Sequence, residues 1–262
     1  MTRRRWILIV GLAILLLIAA FFGLTASGRQ LISTVLNRGN EKPVSYLCPV
    51  ADLSGPVALA DCTDCTYYPV DKTNGLPSNY QPNLIETGLP GGGRVAAIVR
   101  QPLHDLFADA QAQGFSPVVS SGYRSYDEQA ATFRYWVFQE WQGTSNIFQA
   151  VTNAEHYSAW EGHSEHQLGT AVDINCIACE AFDDQDARNI ALWKYLEDNA
   201  YRFGFAISYP RNMEDRTGYQ YEPWHVRYIG VDAATALYEQ GYAKGNGMCA
   251  LTLLRLQAND SR

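Results

Sequence analysis

Ser164-Glu165-His166-Gln167-Leu168-Gly169-Thr170-Ala171-Val172-Asp173 is the stretch that decides the fold of this 262-residue chain. It places an imidazole and a carboxylate seven residues apart, at His166 and Asp173, around a glycine. A second cluster, Glu222-Pro223-Trp224-His225, adds another imidazole and another carboxylate. Any one of these side chains alone is typical of a surface residue or of a hydrogen-bonded core residue. The combination of the two clusters is what indicates a functional site.

The histidines and the aspartate fit a metal site. His166, Asp173 and His225 supply the three protein ligands of a catalytic zinc site, whose fourth position is left to water. The metal lowers the pKa of that water towards about 7, but a nearby carboxylate is still needed to accept its proton. Glu222 is the candidate base. Positions 222 and 225 of a regular strand point to opposite faces, so we expect Pro223 to place Glu222 just outside the regular ladder.

Around these clusters the hydrophobic pattern predicts short strands and helices in mixed order. Such an order favours an α+β domain with a small, largely antiparallel sheet flanked by helices. Ser125 with Glu128 predicts a capping box at the start of one helix, and Arg124 then lies at a strand-to-helix turn, a favoured place for functional side chains. The expected strands cover residues 117–121, 170–174, 205–209 and 223–229, and the expected helices cover 94–114, 125–141, 186–203, 231–241 and 248–257.

Both clusters resemble the signatures of zinc D-alanyl-D-alanine carboxypeptidases and dipeptidases, S-x-H-x-x-G-x-A-x-D and E-x-W-H. The chain matches every fixed position of both signatures, in the same order. Ser121-Gly122-Tyr123-Arg124-Ser125, followed by Gln129, is typical of the carboxypeptidase branch that resembles VanY. The resemblance covers roughly residues 85–242, which is most of the chain after its N-terminal segment.

The resemblance implies roles for individual residues. His166, Asp173 and His225 would bind one Zn²⁺ per chain, and Glu222 would be the general base. Arg124 would stabilise the oxyanion of the tetrahedral intermediate, because its fixed charge points to where negative charge develops. Gln129 and Ser164 would hold the backbone or the carboxylate of the substrate's terminal D-residue. Tyr123 and Trp224 would either contact the substrate or form the wall of the pocket as core aromatics.

The implied function is a monomeric zinc-dependent D,D-carboxypeptidase that hydrolyses the C-terminal D-alanine from peptidoglycan stem peptides. Four alternatives stay open: an L,D-carboxypeptidase, a D-Ala-D-Ala dipeptidase, an L-Ala-D-Glu endopeptidase, and a catalytically silent cell-wall-binding module. Glu222 and Arg124 argue against the silent module, which has little need of a base and an oxyanion donor. A serine acyl-enzyme route requires a Ser-x-x-Lys nucleophile, and no such tetrad occurs in the chain.

The N-terminal segment predicts export. Residues 6–24 form an uncharged apolar stretch of about 19 residues, long enough to span a bilayer. Three arginines precede it, which places the rest of the chain on the outer face of the cell membrane. We favour an uncleaved single-pass anchor, because the core of a signal peptide is usually about 7–15 residues long; the alternative is a signal peptide that is cleaved, which would leave the protein secreted. The predicted division is a cytoplasmic stub and anchor (1–28), a linker and extended arm (29–93), and the catalytic domain (94–262).

The charge and the cysteine content of the chain further limit the class of protein to which it can belong. The formal net charge is -7, and the three arginines before the apolar stretch contribute +3, so the remainder carries -7 - 3 = -10. No basic stripe is present, which excludes a nucleic-acid partner. In an exported chain six cysteines favour a disulfide framework, although the two C-x-x-C pairs have the spacing of a four-thiolate zinc site. The cysteines are Cys48, Cys62, Cys65, Cys176, Cys179 and Cys249.

Overall fold

The computed structural model of the chain describes residues 68–244. The predicted anchor, the helix expected at 248–257 and four of the six cysteines lie outside these residues. The described helices include none that is both long and apolar enough to cross a membrane. The strands are β1 (Leu84–Glu86), β2 (Arg94–Ala96), β3 (Pro117–Ser121), β4 (Ala171–Cys176), β5 (Phe205–Tyr209) and β6 (Glu222–Tyr228). The helices are α1 (Arg100–Ala112), α2 (Tyr126–Thr144), α3 (Ile147–Ala154), α4 (Ala187–Asn199), α5 (Glu214–Thr217) and α6 (Val231–Glu239).

Two antiparallel sheets organise the described residues. The larger one has four strands in the order β3-β4-β6-β5, and β1 and β2 form a separate two-stranded hairpin. The α+β class with a small antiparallel sheet is therefore confirmed. The central strands β4 and β6 pair with each other, so side chains from both can meet on one face of the sheet.

Side-chain alternation along β4 separates the core from the site. Val172 and Ile174 are fully buried against the helices, with Val226 of β6 beside them. Leu103 of α1 and Leu192 of α4, both at zero exposure, extend this core into the helices. Burying each such side chain stabilises the fold by about 1.5–3 kcal/mol. Because successive residues of a strand face opposite sides, the odd-numbered residues of β4 are left to the other face.

The helix expected over 94–114 begins later than the hydrophobic pattern predicts. Arg94–Ala96 pair with β1 as strand β2, and a 3-10 turn over Ala97–Val99 leads into α1. Pro102 lies in the first turn of α1, where its missing N–H leaves no helical hydrogen bond unmade. The helix ends before Gly114, whose φ of +90° is a left-handed conformation that favours glycine.

Helix α2 begins as the sequence predicts. Ser125 caps it, its side chain accepts the backbone N–H of Glu128, and the Glu128 carboxylate accepts the Ser125 N–H at 2.7 Å. Helix α3, which packs against α2, was not predicted. Asn146 caps α3 by accepting the N–H of Phe148 at 3.0 Å, a signal present in the sequence.

The part of the predicted arm that is described packs against residues that precede β4. Tyr68, Val70 and Leu76 form a buried cluster with Leu168. The N–H of Leu76 donates to the carbonyl of Gly162 at 2.7 Å. Residues 68–93 are thus built into the same folded unit as the residues that follow, and the boundary at 93 remains a prediction.

Candidate active site

Three side chains from separate elements meet on the face of the four-stranded sheet that is turned away from the hydrophobic core. His166 lies in a 3-10 turn, Glu165–Leu168, just before β4, Asp173 lies in β4, and His225 lies opposite it in β6. One ligand atom from each lies within 4.8 Å of the other two. All three side chains are buried, with exposures of 2–5%. The structure therefore brings together the three residues that the sequence selects as metal ligands.

The orientation of His166 is set by the loop between β3 and α2. Its Nδ1 lies 2.7 Å from the carbonyl oxygen of Gly122, so Nδ1 carries the proton and donates it there. Its Nε2 faces Asp173, 3.3 Å from Oδ2. A Cβ on Gly122 would lie 2.5 Å from the carbonyl oxygen of Arg94, so only glycine fits this approach. Burial lowers the pKa of His166 to about 4, which keeps the ring neutral and able to bind a cation.

His225 faces Asp173 through Nδ1, whereas His166 faces Asp173 through Nε2. Its Nδ1 lies 3.0 Å from Asp173 Oδ1, while its Nε2 lies 3.0 Å from Glu165 Oε2. Burial alone lowers the pKa of His225, but hydrogen bonds to Asp173 and Glu165 outweigh it and raise the pKa to about 10. With this pKa both nitrogens of His225 carry protons in the absence of a metal, and Nδ1, which faces Asp173, is the one that would lose its proton to a bound cation.

Glu165 is the functional residue that the sequence reasoning missed. Its carboxylate accepts from Arg227 Nη1 at 2.7 Å and from Ser208 Oγ at 2.5 Å, besides His225. Burial alone raises the pKa of Glu165, but the Arg227 guanidinium and the His225 hydrogen bond lower it to about 2. A carboxylate that orients a metal-ligating histidine in this way raises the basicity of the ring. Arg227 also donates to the carbonyl of Tyr68 at 2.7 Å, which connects this network to the arm.

Glu222 reaches the same cleft through an irregularity in the sheet. It is the first residue of β6 and pairs with Tyr209, so it lies within the strand and not outside it. The regular pairing is nevertheless broken at Pro223, where a bulge is one of the positions that proline favours: Ile207 pairs with Val226, leaving residues 223–225 of β6 opposite Ser208 alone. This shift interrupts the period-two alternation, so Glu222 and His225 both line one cleft. Burial raises the pKa of Glu222 to about 8, near the pH at which a general base is most effective.

Most of the other predicted residues line this cleft too. Arg124 is half-buried there, and its Nε is buried without a hydrogen bond. Gln129 donates to the carbonyl of Ala159 at 2.6 Å, while its Oε1 is buried and unpaired. Ser164 and Trp224 also line the cleft, whereas Tyr123 does not, because its ring lies against Arg94 at 5.4 Å. The unpaired polar atoms of Arg124 and Gln129 point to a polar ligand.

The donor set fits a zinc ion. Two imidazoles and one carboxylate are the ligand types of catalytic zinc sites, which keep a fourth position open. Glu222 is not one of these three residues but lines the same cleft, and so supplies the additional carboxylate that such chemistry requires. A second group, Cys176, Cys179 and Asp186, also lies close enough to hold a cation, but its two cysteines form a disulfide. For one of the two C-x-x-C pairs, the structure therefore favours a disulfide over a four-thiolate zinc site.

Comparisons with known proteins agree with this geometry. The family model described as VanY, D-alanyl-D-alanine carboxypeptidase, matches residues 93–231. A D-alanyl-D-alanine carboxypeptidase of Enterococcus faecalis is 37% identical over 66% of this chain and 61% of its own length. The chain therefore spans less than two thirds of the length of that curated relative.

Two solved structures are similar over nearly their whole length. The vancomycin-resistance D,D-pentapeptidase VanY of a VanB-type cassette, in complex with Zn(II), has a TM-score of 0.63 and 35% identity, covering 73% of this chain and 99% of its own. VanYB in complex with D-alanine-D-alanine has a TM-score of 0.62 and 34% identity, covering 76% and 100%. The family match includes both signature clusters and the loop that carries Arg124. The chain belongs to the VanY family of D-alanyl-D-alanine carboxypeptidases.

Proposed function

We propose that this protein is a zinc-dependent D,D-carboxypeptidase that removes the C-terminal D-alanine from peptidoglycan stem peptides. The observation that carries the proposal is the buried convergence of His166, Asp173 and His225, with Glu222 and Arg124 lining the same cleft. The similarity to VanY structures that contain Zn(II) and D-alanine-D-alanine supports both the metal and the substrate.

In this proposal His166, His225 and Asp173 would hold the zinc ion, His166 through Nε2, His225 through Nδ1 and Asp173 through a carboxylate oxygen. When bound, zinc supplies a Lewis acid that activates a water molecule and polarises the scissile carbonyl. Glu222 accepts the proton of the attacking water and later transfers a proton to the leaving amine. Arg124 holds its positive charge towards the oxygen on which negative charge develops.

The remaining cleft residues position the substrate. Gln129 offers its unpaired Oε1 to an N–H group of the substrate, and Ser164 offers a hydroxyl beside His166. Both side chains are almost fully buried, so they mark the deep end of the cleft. We place the chain end of the substrate there, which agrees with the removal of a single terminal residue. Trp224 walls the cleft beside the metal ligands.

D-alanine release tests the function. The purified protein, incubated with a muramyl pentapeptide ending in D-Ala-D-Ala, is expected to release one D-alanine per peptide, measured by mass spectrometry and a D-amino acid oxidase assay. A chelator is expected to abolish release, and added Zn²⁺ to restore it. A tetrapeptide substrate separates the L,D-carboxypeptidase alternative, because it offers only the next bond. Release that persists in chelator, or no release from the pentapeptide, contradicts the proposal.

A second prediction concerns Glu165. Replacing Glu165 by Gln is expected to raise the zinc dissociation constant about 10- to 100-fold. The amide still accepts the His225 proton, but it carries no charge, and the Arg227 guanidinium loses its ion pair with the Glu165 carboxylate. Competition with a fluorescent zinc chelator measures the constant, and circular dichroism shows whether the variant is folded.

The matched control is Glu155→Gln. The Glu155 carboxylate accepts a hydrogen bond from Trp160 at 2.6 Å, away from the metal ligands, and the same change there is expected to leave zinc affinity unaltered. If the folded Glu165→Gln variant binds zinc within twofold of wild type, Glu165 does not support the site.

We further propose that the protein is a monomer held at the cell membrane, with its catalytic domain on the outer side. The apolar stretch of residues 6–24, with its preceding arginines, supports this location. Peptidoglycan, the proposed substrate, is found on that side. Fractionation of cells, followed by protease treatment of spheroplasts, tests the location: the protein is expected in the membrane fraction, accessible to protease from outside.

A further inference from the structure

The segment Cys176–Asp183, named here the disulfide loop, begins at the last residue of β4, and its Phe182 lines the cleft. The Cys176–Cys179 disulfide closes its first half. Asn189 of α4, fully buried, holds both ends: its Oδ1 accepts the Cys176 N–H at 3.0 Å, and its Nδ2 donates to the carbonyls of Glu180 and Asp183 at 2.9 and 3.2 Å. A covalent closure and a buried side chain thus hold this surface loop in one conformation.

The loop contains unusual backbone conformations. Ala178 and Phe182 have φ values of 59° and 65°, two of only four positive values at non-glycine residues within 68–244. Such conformations persist only where the surroundings fix them, and they are concentrated at functional sites. At Phe182 the surroundings are polar contacts: its N–H donates to Asn175 Oδ1 at 3.1 Å, and Asn175 Nδ2 donates to Ser120 Oγ at 2.8 Å.

These contacts together fix the position of one aromatic ring, that of Phe182. The Phe182 ring lies edge-on to Trp224, with centroids 5.2 Å apart, and Trp224 in turn packs on Trp193 at 5.1 Å. Phe182 lines the cleft and is 39% exposed, whereas Gln129 and Ser164 at the deep end are 1% and 5% exposed. Phe182 therefore lies at the mouth of the cleft.

We infer that Phe182 is a specificity-determining residue that contacts the stem peptide upstream of the scissile bond, and that the disulfide loop exists to position it. This inference rests on the proposed function. A substrate whose chain end occupies the deep part of the cleft must leave across the mouth, where the Phe182 and Trp224 rings offer apolar faces to its peptide groups. Rigid aromatic side chains give such contact at low entropic cost.

Phe182→Ala tests the contact. KM for the muramyl pentapeptide is expected to rise about tenfold with kcat unchanged, because the contact is made equally before and during the reaction. KM for acetyl-D-Ala-D-Ala, which lacks the stem residues upstream of D-Ala-D-Ala, is expected to stay the same. Phe182→Tyr is expected to restore the pentapeptide KM. An equal rise for both substrates, a pentapeptide KM within twofold of wild type, or a loss confined to kcat would overturn the inference.

The loop is tested by the double variant Cys176→Ser with Cys179→Ser. It is expected to show the same rise in pentapeptide KM as Phe182→Ala, with zinc affinity unchanged; a wild-type KM in this variant overturns the role given to the loop. A binding measurement separates this inference from the proposed function. In a Glu222→Gln background, where hydrolysis is expected to be slow compared with the titration, tryptophan fluorescence during addition of the pentapeptide gives a dissociation constant. Phe182→Ala is expected to weaken that constant about tenfold even if the wild type releases no D-alanine.

Discussion

Replacing Glu222 by Gln is expected to lower kcat for D-alanine release by about 10²- to 10⁴-fold, the range that a general base contributes. The amide has nearly the shape of the carboxylate but cannot accept the proton of the attacking water. Glu222 is buried, and this burial raises its pKa to about 8. Buffer molecules therefore have poor access to the site and replace the carboxylate inefficiently as the proton acceptor. Steady-state kinetics with the pentapeptide measure the loss.

Zinc content decides how that loss is interpreted. Glu222 is not one of the three clustered ligand residues, so the variant is expected to retain one zinc per chain by elemental analysis. Glu197→Gln is the matched control, because Glu197 accepts a hydrogen bond from Tyr221 at 2.6 Å outside the cleft. A Glu222→Gln variant that keeps zinc and more than a tenth of wild-type kcat would show that another group accepts the proton.

The sequence predicts those parts of the fold that depend on local pattern. The capping box at Ser125, the strand over Pro117–Ser121 and the antiparallel α+β class all appear as expected. Capping chemistry and side-chain alternation involve residues close in the chain, so a single sequence displays them. Strand β2 was missed because Arg94–Ala96 continue the apolar spacing of α1, and only pairing with β1 shows that they are extended.

The residues of the candidate site also divide into those that the sequence alone predicts and those that it does not. His166, Asp173, Glu222 and His225 belong to compact motifs, so the sequence selects them. Glu165 occupies a variable position of its motif, and its partner Arg227 lies 62 residues away. A signal was nevertheless available: Arg227 follows His225 by two residues in a strand, so both face the same side. A buried arginine there requires an acidic partner.

Phe182 illustrates a harder case. Its position depends on two left-handed backbone conformations and on Asn189. Neither follows from periodicity, since nothing in the sequence around Phe182 is a glycine or a regular element. The C-x-x-C pair marks a constraint, but not which side chain the constraint positions. Tertiary structure was needed to connect the cysteines to the cleft.

Replacing Arg124 by Ala is expected to lower kcat by about 10²- to 10³-fold, as does the loss of an oxyanion donor in other hydrolases. The backbone of Arg124 is fixed, because its N–H donates to the carbonyl of His166 at 3.2 Å, so the substitution removes the guanidinium while the loop keeps that contact. Zinc affinity is therefore expected to be unchanged. Steady-state kinetics and chelator competition measure the two quantities separately.

Arg124→Lys separates charge from geometry. Lysine keeps the positive charge but lacks the planar fork of the guanidinium, so we expect it to recover only part of the lost kcat. Arg202→Ala is the control, because Arg202 pairs with Asp109 at 3.5 Å on the surface and its loss should not change kcat. If Arg124→Ala instead raised KM and left kcat intact, the guanidinium would bind the substrate carboxylate in the ground state. The developing oxyanion would then depend on zinc alone, and Arg124 would join Gln129 and Ser164 in holding the terminal residue.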